Sequence, residues 1–485
     1  MSEIKNFQPA GIWQNFYLLT QVPRPSGHLD KVRAFLLDWA AQKGIDAHAD
    51  EAGNVLMYKA ATPGMENCKM VTLQGHMDMV PQKTADSNHD FENDPIETWV
   101  DGDWVRAKNT TLGADDGMAV ATIMAIMEDN SLKHGPIEGF ITADEETTMY
   151  GVNHMAPGSL KGEILLNLDN ETDGEMVIGS AGGINLTATL RYREAAAPAG
   201  LQAVSVRLHN LLGGHSGLEI NEGRANANKL IARLVLDAKV HCGARLATWH
   251  GGNMRNAIPR DVTVVLLVEP KKAEALKALA EKWGQVFAAE YAAVEKGLTL
   301  DVADVPAPAT MCPEEIADNL VRAIVACHNG VMRFIPEVPQ IVETSSNLAI
   351  VDIDGGDVMC KVLIRSSCDS MLEACVATMD SVFSMAGMKV ETDGHYPAWQ
   401  PNPKSPIVEL MKQAYSDLFG VENKVQVVHA GLECGVIGAK CPGMDMVSFG
   451  PTLRSPHTPN ERLYIPSVER YWRFVTTILE RIPQK

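Results

Sequence analysis

Histidines and carboxylates recur along this chain in a pattern that could hold metal ions. His76 is followed two residues on by Asp78, and Asp115 sits in the glycine-flanked loop Thr110-Thr111-Leu112-Gly113-Ala114-Asp115-Asp116-Gly117. Asp144-Glu145-Glu146 is an acidic triplet, Asp169 follows an apolar run, and His457 lies late in the chain. Two imidazoles and three carboxylates (His76, Asp115, Glu146, Asp169 and His457) are borderline-to-hard donors, suited to zinc, with cobalt or manganese as substitutes. Three carboxylates offset three of the four charges on two Zn²⁺ ions and a bridging hydroxide would offset the fourth, which favours a two-metal site. Asp115, flanked by glycines, is the best candidate for the bridging carboxylate. Asp78 would accept the second imidazole N–H of His76 and fix its tautomer. Glu145, beside a ligand, could take a proton from a metal-bound water and pass it to a leaving amine.

None of these features is specific alone. Fourteen His and 61 acidic residues in 485 produce about two His-x-Asp/Glu pairs by chance, and His28/Asp30 and His48/Asp50 repeat the spacing. The elements around them make the difference. Residues 69–75, 137–143, 164–168 and 444–449 read as apolar strands, ending at His76, at Asp144-Glu145-Glu146, at Asp169 and ahead of the loop with His457. The Asp115 loop leads straight into the apolar helix 118–127. Strand-helix alternation with ligands at strand ends predicts an α/β sheet with its site at the carboxyl edge, and Gly75 is expected to let the backbone turn there. His28 and His48 read as surface residues, in the first turn of a helix carrying Leu29, Val32, Leu36 and Trp39 and in the connection after its stop at Gly44.

At 485 residues two domains are expected. A composition of 46% apolar and 21% charged residues is that of a globular soluble chain. A formal charge of −19 argues against nucleic acid as a partner. No apolar run approaches a membrane span, and the start lacks the layout of a signal peptide. Nine cysteines without a Cys-x-x-Cys suit a reducing, cytoplasmic setting. The character shifts at residues 185–200, where Ala-Ala-Ala-Pro-Ala-Gly is a plausible junction. Strands then alternate with long amphipathic helices, and a hairpin turns at Asp354-Gly355-Gly356-Asp357. The chain returns through a proline-rich stretch to a helix begun by Ser405-Pro406 and a final helix with Val468, Trp472, Val475, Leu479 and Ile482. The expected architecture is α/β. A catalytic metal-binding domain, residues 1–186 and 389–485, has a mixed central sheet flanked by helices, and residues 187–388 form an inserted α+β lid domain.

With these motifs in order, the sequence resembles the dinuclear-zinc M20 metallopeptidases. Within them it is similar to the Xaa-His (aminoacyl-histidine) dipeptidase, or peptidase D, branch through Thr110–Asp115, Val342-Glu343-Thr344-Ser345, His429-Ala430-Gly431-Leu432-Glu433-Cys434-Gly435 and Gly450-Pro451-Thr452. The resemblance implies that Asp115 bridges two Zn²⁺ (Co²⁺ or Mn²⁺ substituting), with His76 and Asp169 on one ion and Glu146 and His457 on the other. It also implies a cis peptide bond between Asp115 and Asp116, and Glu145 as general base and then acid. His215, in Leu212-Gly213-Gly214-His215-Ser216-Gly217, would stabilise the oxyanion, and the lid would close to bring it there. Arg365 would bind the substrate carboxylate, Asn256 the carbonyl or carboxylate, and Glu433 the substrate amino group. Ser346 stands where this branch is expected to carry leucine, at the start of a lid strand, and could alter side-chain preference. The expected function is hydrolysis of small unblocked dipeptides, Xaa-His and β-alanyl-histidine types included, in a cytoplasmic enzyme that could be a homodimer, with neither nucleic acid nor membrane as partner. The alternatives are an N-acyl-amino-acid deacylase or tripeptidase on the same scaffold, or an inactive binding protein.

Overall fold

The computed structural model describes residues 3–336 and 338–485. The chain divides into two compact units: Met1–Ser180 with Trp399–Val427 and Leu432–Lys485, and Ala181–Ala398 with Val428–Gly431.

An eight-stranded sheet organises the first unit. Its order is Asp46–Ala49, Val55–Lys59, Ile137–Thr142, Val71–His76, Ile164–Asn167, Asp445–Ser448, Glu175–Ser180 and Lys424–Val428. The four central strands are mutually parallel, and antiparallel neighbours flank them, so the sheet is mixed. The register sets His76 opposite Thr142, Gln74 opposite Asn167, and Asn167 opposite Ser448. Parallel strands in step end together, and a carboxyl edge of this kind is where α/β sheets bind ligands. All six residues of the His76 strand are buried, as suits a strand covered on both faces.

Gly75 lies inside this strand, and its need is closeness rather than a turn. A Cβ there would come within 2.4 Å of Ala119 Cβ and 2.5 Å of Asp116 Oδ2. The strand is thus pressed against the helix Ala114–Glu128, whose residues 116–127 are all buried. Elsewhere the local signals act as expected. Gly44 caps the helix Asp30–Lys43 with φ 69°, and Ser405 accepts the Val408 N–H ahead of Pro406–Phe419. A four-stranded sheet, Leu453–Arg454, Arg462–Tyr464, Trp104–Ala107 and Thr98–Asp101, carries the His457 loop between its first two strands.

The second unit is built on an antiparallel sheet of nine strands among the described residues. Helices Ala227–Cys242, Pro270–Glu290, Glu314–Ala326 and Asp369–Met385 share its apolar core. Gly182–Arg191 pairs on both sides, with Asp357–Ser366 and Lys389–Tyr396. A strand paired on both edges goes with that sheet, so residues 181–186 and 389–398 fall in this unit, outside the span 187–388 expected for the insertion. The hairpin turns at Gly355 and Gly356 with φ 56° and 85°, as a two-residue loop requires. Ser346 sits inside the long strand Val338–Asp354, not at a strand start. It is buried, and its hydroxyl is held by His328 Nδ1 at 2.7 Å and donates to the His328 carbonyl at 3.0 Å.

Gly75→Ala should destabilise the fold by about 1–3 kcal/mol, the usual effect of overpacking a tight core. Chemical denaturation of the two chains measures it.

Candidate metal centre and polar cluster

Five of the residues expected to bind metal come together in the first unit. His76 ends its strand with Nε2 3.1 Å from Asp115 Oδ1 and 3.8 Å from Asp169 Oδ1. His457 Nε2 lies 3.0 Å from Asp115 Oδ2 and 3.0 Å from Glu146 Oε2. Asp115 therefore turns one oxygen toward each imidazole. The Asp115–Asp116 peptide bond is cis. Asp116 also lies near His76 and Asp169, but its oxygens already accept the backbone N–H groups of His76, at 3.1 Å, and Ala119, at 3.3 Å. The carboxylates that face His76 Nε2 without an amide on them in this way are those of Asp115 and Asp169.

Asp78 does more than orient His76. Its Oδ1 is 3.3 Å from His76 Nδ1, and the pair attract each other across a buried contact. The firmer bonds run elsewhere: Asp78 accepts the N–H groups of Glu145 at 3.0 Å and Glu146 at 3.2 Å, and the Ser26 hydroxyl at 2.7 Å. One carboxylate thus pins the short helix Glu145–Thr148 by its first two amides. Glu146 then reaches His457, while Glu145 keeps a carboxylate oxygen within 4.8 Å of His76 and Glu146 ligand atoms.

Electrostatics shows what the cluster lacks. Burial, with Glu433, Glu146 and Asp115 nearby, pushes the Glu145 carboxyl well above the usual range despite His76. Burial and Asp116 do the same for Asp169. Hydrogen bonds to Asp115 and Glu146 raise His457 to about 11. The groups crave positive charge. The buried Glu146 Oε1 has no hydrogen-bond partner. Bonds of about 2.0–2.1 Å at tetrahedral angles set neighbouring ligand atoms roughly 3.3 Å apart, close to the 3.0–3.8 Å found here. The donors fit a pair of small divalent cations sharing Asp115.

Glu433 is deep in the same unit. Its Oε2 accepts from Gln74 Nε2 at 2.6 Å and the Thr142 hydroxyl at 2.7 Å, while its Oε1 is buried without a partner. Burial raises its carboxyl to about 7. The Gln74 side chain also accepts from Asn167 at 2.5 Å, so Glu433 closes a network across three strands.

The second unit holds its own polar cluster, around His215, Arg365 and His429. His215 Nδ1 accepts the N–H groups of Gly217, at 3.2 Å, and Leu218, at 3.0 Å. A nitrogen that accepts carries no proton, so the ring proton is on Nε2. Burial and Arg365 lower the His215 pKa and keep the ring neutral. Arg365 is 6% exposed; Nη1 donates to the Tyr396 hydroxyl at 2.6 Å and Nε has no partner. His429 Nε2 meets Ser345 Oγ at 2.7 Å, and Nδ1 is buried and unpartnered. Burial, then Arg365 and His215, take its pKa down to about 3. Asn256 is exposed, and its carbonyl accepts the Ser216 N–H at 2.9 Å. Asn347 steadies that segment through the Ala257 carbonyl at 2.8 Å.

Sequence reasoning passed over Arg24, Ser26, Gln74, Tyr396, His429 and Glu461 as site-forming residues. His429 carried a usable signal, inside the segment 429–435; the others look like ordinary polar residues in their local sequence.

Parallel strand ends presenting imidazoles and carboxylates, in a chain that also carries an inserted antiparallel domain, are features of a metal-dependent hydrolase. The chain belongs to peptidase family M20/M25/M40, whose sequence pattern matches residues 72–481. It is 40% identical, over 485 residues and all of both chains, to the cytosol non-specific dipeptidase of Escherichia coli strain K12. It is similar to the crystal structure of aminoacylhistidine dipeptidase from Vibrio alginolyticus, with a TM-score of 0.93 at 40% identity over 100% of this chain and 99% of the other. Aminopeptidase PepT from Bacillus cereus shares the fold, with a TM-score of 0.56 at 16% identity over 97% and 98% of the two chains. Among the described residues no helix is long and apolar enough to cross a membrane.

His429, neutral in the fold, gains a proton on unfolding at acid pH. With a folded pKa near 3 and an unfolded value near 6.5, it weakens the fold by about 1.4 kcal/mol per pH unit as pH falls between those values. His429→Asn should flatten the acid side of the Tm-against-pH curve below about pH 6.

Proposed function

We propose that this chain is a dipeptidase that uses two divalent cations to hydrolyse unblocked dipeptides, with histidine favoured at the C-terminal position. The observation carrying this reading is Asp115, with one oxygen on each imidazole and Glu145 alongside. Full-length likeness to relatives named for dipeptide hydrolysis supports the substrate class. His76 and Asp169 would hold one ion, Glu146 and His457 the other, and Asp115 both. Zinc suits the imidazole-carboxylate set, with cobalt or manganese able to substitute. Bound there, the cations supply Lewis acidity to the peptide carbonyl and make a water acidic.

The chain's residues supply the rest. Glu145, held by its amide to Asp78, takes a proton from the attacking water and returns it to the leaving amine nitrogen. His215, a neutral donor through Nε2, stabilises the oxygen where negative charge develops. Arg365 pairs with the substrate's free carboxylate, with His429 Nδ1 and Asn256 as further polar contacts. Glu433 has one unpartnered oxygen for a substrate ammonium. Nine free cysteines support a cytoplasmic setting, and we include a homodimer in the proposal, to be checked by sedimentation.

Glu145→Gln should retain both cations and lose about 10²–10⁴ of kcat; loss of a cation would instead make Glu145 a ligand. Arg365→Ala should lower kcat/KM on dipeptides by about 10–100-fold, the weight of a charged hydrogen bond, and have little effect on their C-terminal amides. A panel of β-Ala-His, an α-linked Xaa-His dipeptide, a tripeptide and an N-acetyl amino acid tests the substrate class. No dipeptide turnover with zinc, cobalt or manganese would reject the reading, and turnover of the last two alone would make the chain a tripeptidase or deacylase.

A further inference from the structure

Glu461 is 2% exposed, and its carboxylate accepts four consecutive backbone N–H groups. Oε2 takes those of Leu112 at 2.7 Å and Gly113 at 2.9 Å; Oε1 takes those of Ala114 at 2.8 Å and Asp115 at 3.2 Å. A carboxylate has about four acceptor sites, so this one is fully committed. The helix that follows has no side-chain cap of its own, and Glu461 caps it from a different loop. Asp115 leaves helical geometry at φ −84°, ψ 110°, which frees its side chain for the imidazoles while its amide stays anchored. Glu461 is four residues after His457, and thus ties the His457 loop to the Asp115 loop.

Arg24 makes the matching tie on the other side. It too is 2% exposed; Nη1 donates to the carbonyls of Met77 at 3.1 Å and Asp78 at 3.0 Å, and Nη2 to that of Gly113. A Cβ at Gly113 or Gly117 would lie 2.6 or 2.5 Å from Arg24 Nη2, so the guanidinium packs directly on the backbone of this loop. Arg24 thus joins the Asp115 loop to the segment immediately after His76.

We propose that Glu461 and Arg24 are positioning residues for the two cation sites separately: Glu461 sets His457 against Asp115, and Arg24 sets His76 against Asp115. The proposal rests on the reading of Asp115 as the shared ligand. Each imidazole then has its own buried strut to the common carboxylate, and one strut can be weakened without the other.

The test is cation binding to the apoprotein, by calorimetry with Co²⁺ and by metal content at buffered free Zn²⁺. Glu461→Gln, nearly isosteric, turns an NH₂ toward backbone donors. It should weaken one of the two sites about 10–100-fold, the usual effect of an outer-shell change, with at least a tenfold smaller effect on the other. In a His457→Ala background, where the affected site is already lost, the substitution should change the remaining affinity by less than threefold. Arg24→Lys should show the reverse pattern, its effect persisting in that background. If Glu461→Gln does not fold by circular dichroism, Glu461→Asp, which keeps the charge and shortens the reach, carries the same expectation. Unchanged affinities, equal losses at both sites, or a further loss in the His457→Ala background would each overturn the proposal. A wild-type chain that binds fewer than two cations would sink the metal-site reading instead.

Discussion

Negative charge crowded at one edge of a buried sheet is the constraint on which the first unit depends. Asp78, Asp115, Asp116, Glu145, Glu146, Asp169, Glu433 and Glu461 all gather around the carboxyl ends of four parallel strands. Desolvation and mutual repulsion oppose such a crowd. Part of it is relieved by neutral donors: backbone amides donate to Glu461, Asp78 and Asp116. The buried Arg24 contributes fixed positive charge. What remains is focused on Asp115, Glu146 and Asp169, beside the two imidazoles, and divalent cations would answer it directly.

Each unit leaves some buried polar atoms without a hydrogen-bond partner. In the first, Asp78, Asp116 and Glu461 are tied to backbone amides, while Glu146 Oε1 and Glu433 Oε1 are buried without partners. In the second, Arg365 Nε, His429 Nδ1, Ser216 Oγ and Asn347 Oδ1 are buried without partners. Unsatisfied buried groups cost stability, and in the second unit the Arg365 guanidinium and the His429 imidazole carry two of them. His215 illustrates the economy of the arrangement: two backbone amides choose its tautomer, and the chosen tautomer is the one that can donate.

The polar strand Asp46–Ala49, with His48, read in the sequence as a connection. The central parallel strands were legible because they are apolar runs that end at or shortly before candidate metal-binding residues, and the helix after Asp115 because it is apolar almost throughout. The ligand residues were legible for the same reason. Glu461 and Arg24 were not, since a carboxylate serving backbone donors and a guanidinium serving backbone acceptors leave no mark on sequence spacing. Gly75 was visible as a glycine, but its cause was hidden: the contact with Ala119 and Asp116 exists only after the helix has docked. The junction near residues 185–200 looked like a boundary because of its alanines and proline. The pairing of Gly182–Arg191 with two strands of the second unit, which moves that boundary, is a long-range fact.

Val428–Gly431 counts with the second unit although the chain on both sides of it belongs to the first. Its Val428 carbonyl accepts the Ala181 N–H at 3.0 Å, and it brings His429 to Ser345. The insertion is consequently not a single cassette. Cutting out residues 181–398 and splicing the ends would strand this tetrapeptide, and a transplant of the second unit into another scaffold would arrive without His429. Any exchange of this module between relatives, in the laboratory or over evolutionary time, has to move two pieces of chain together.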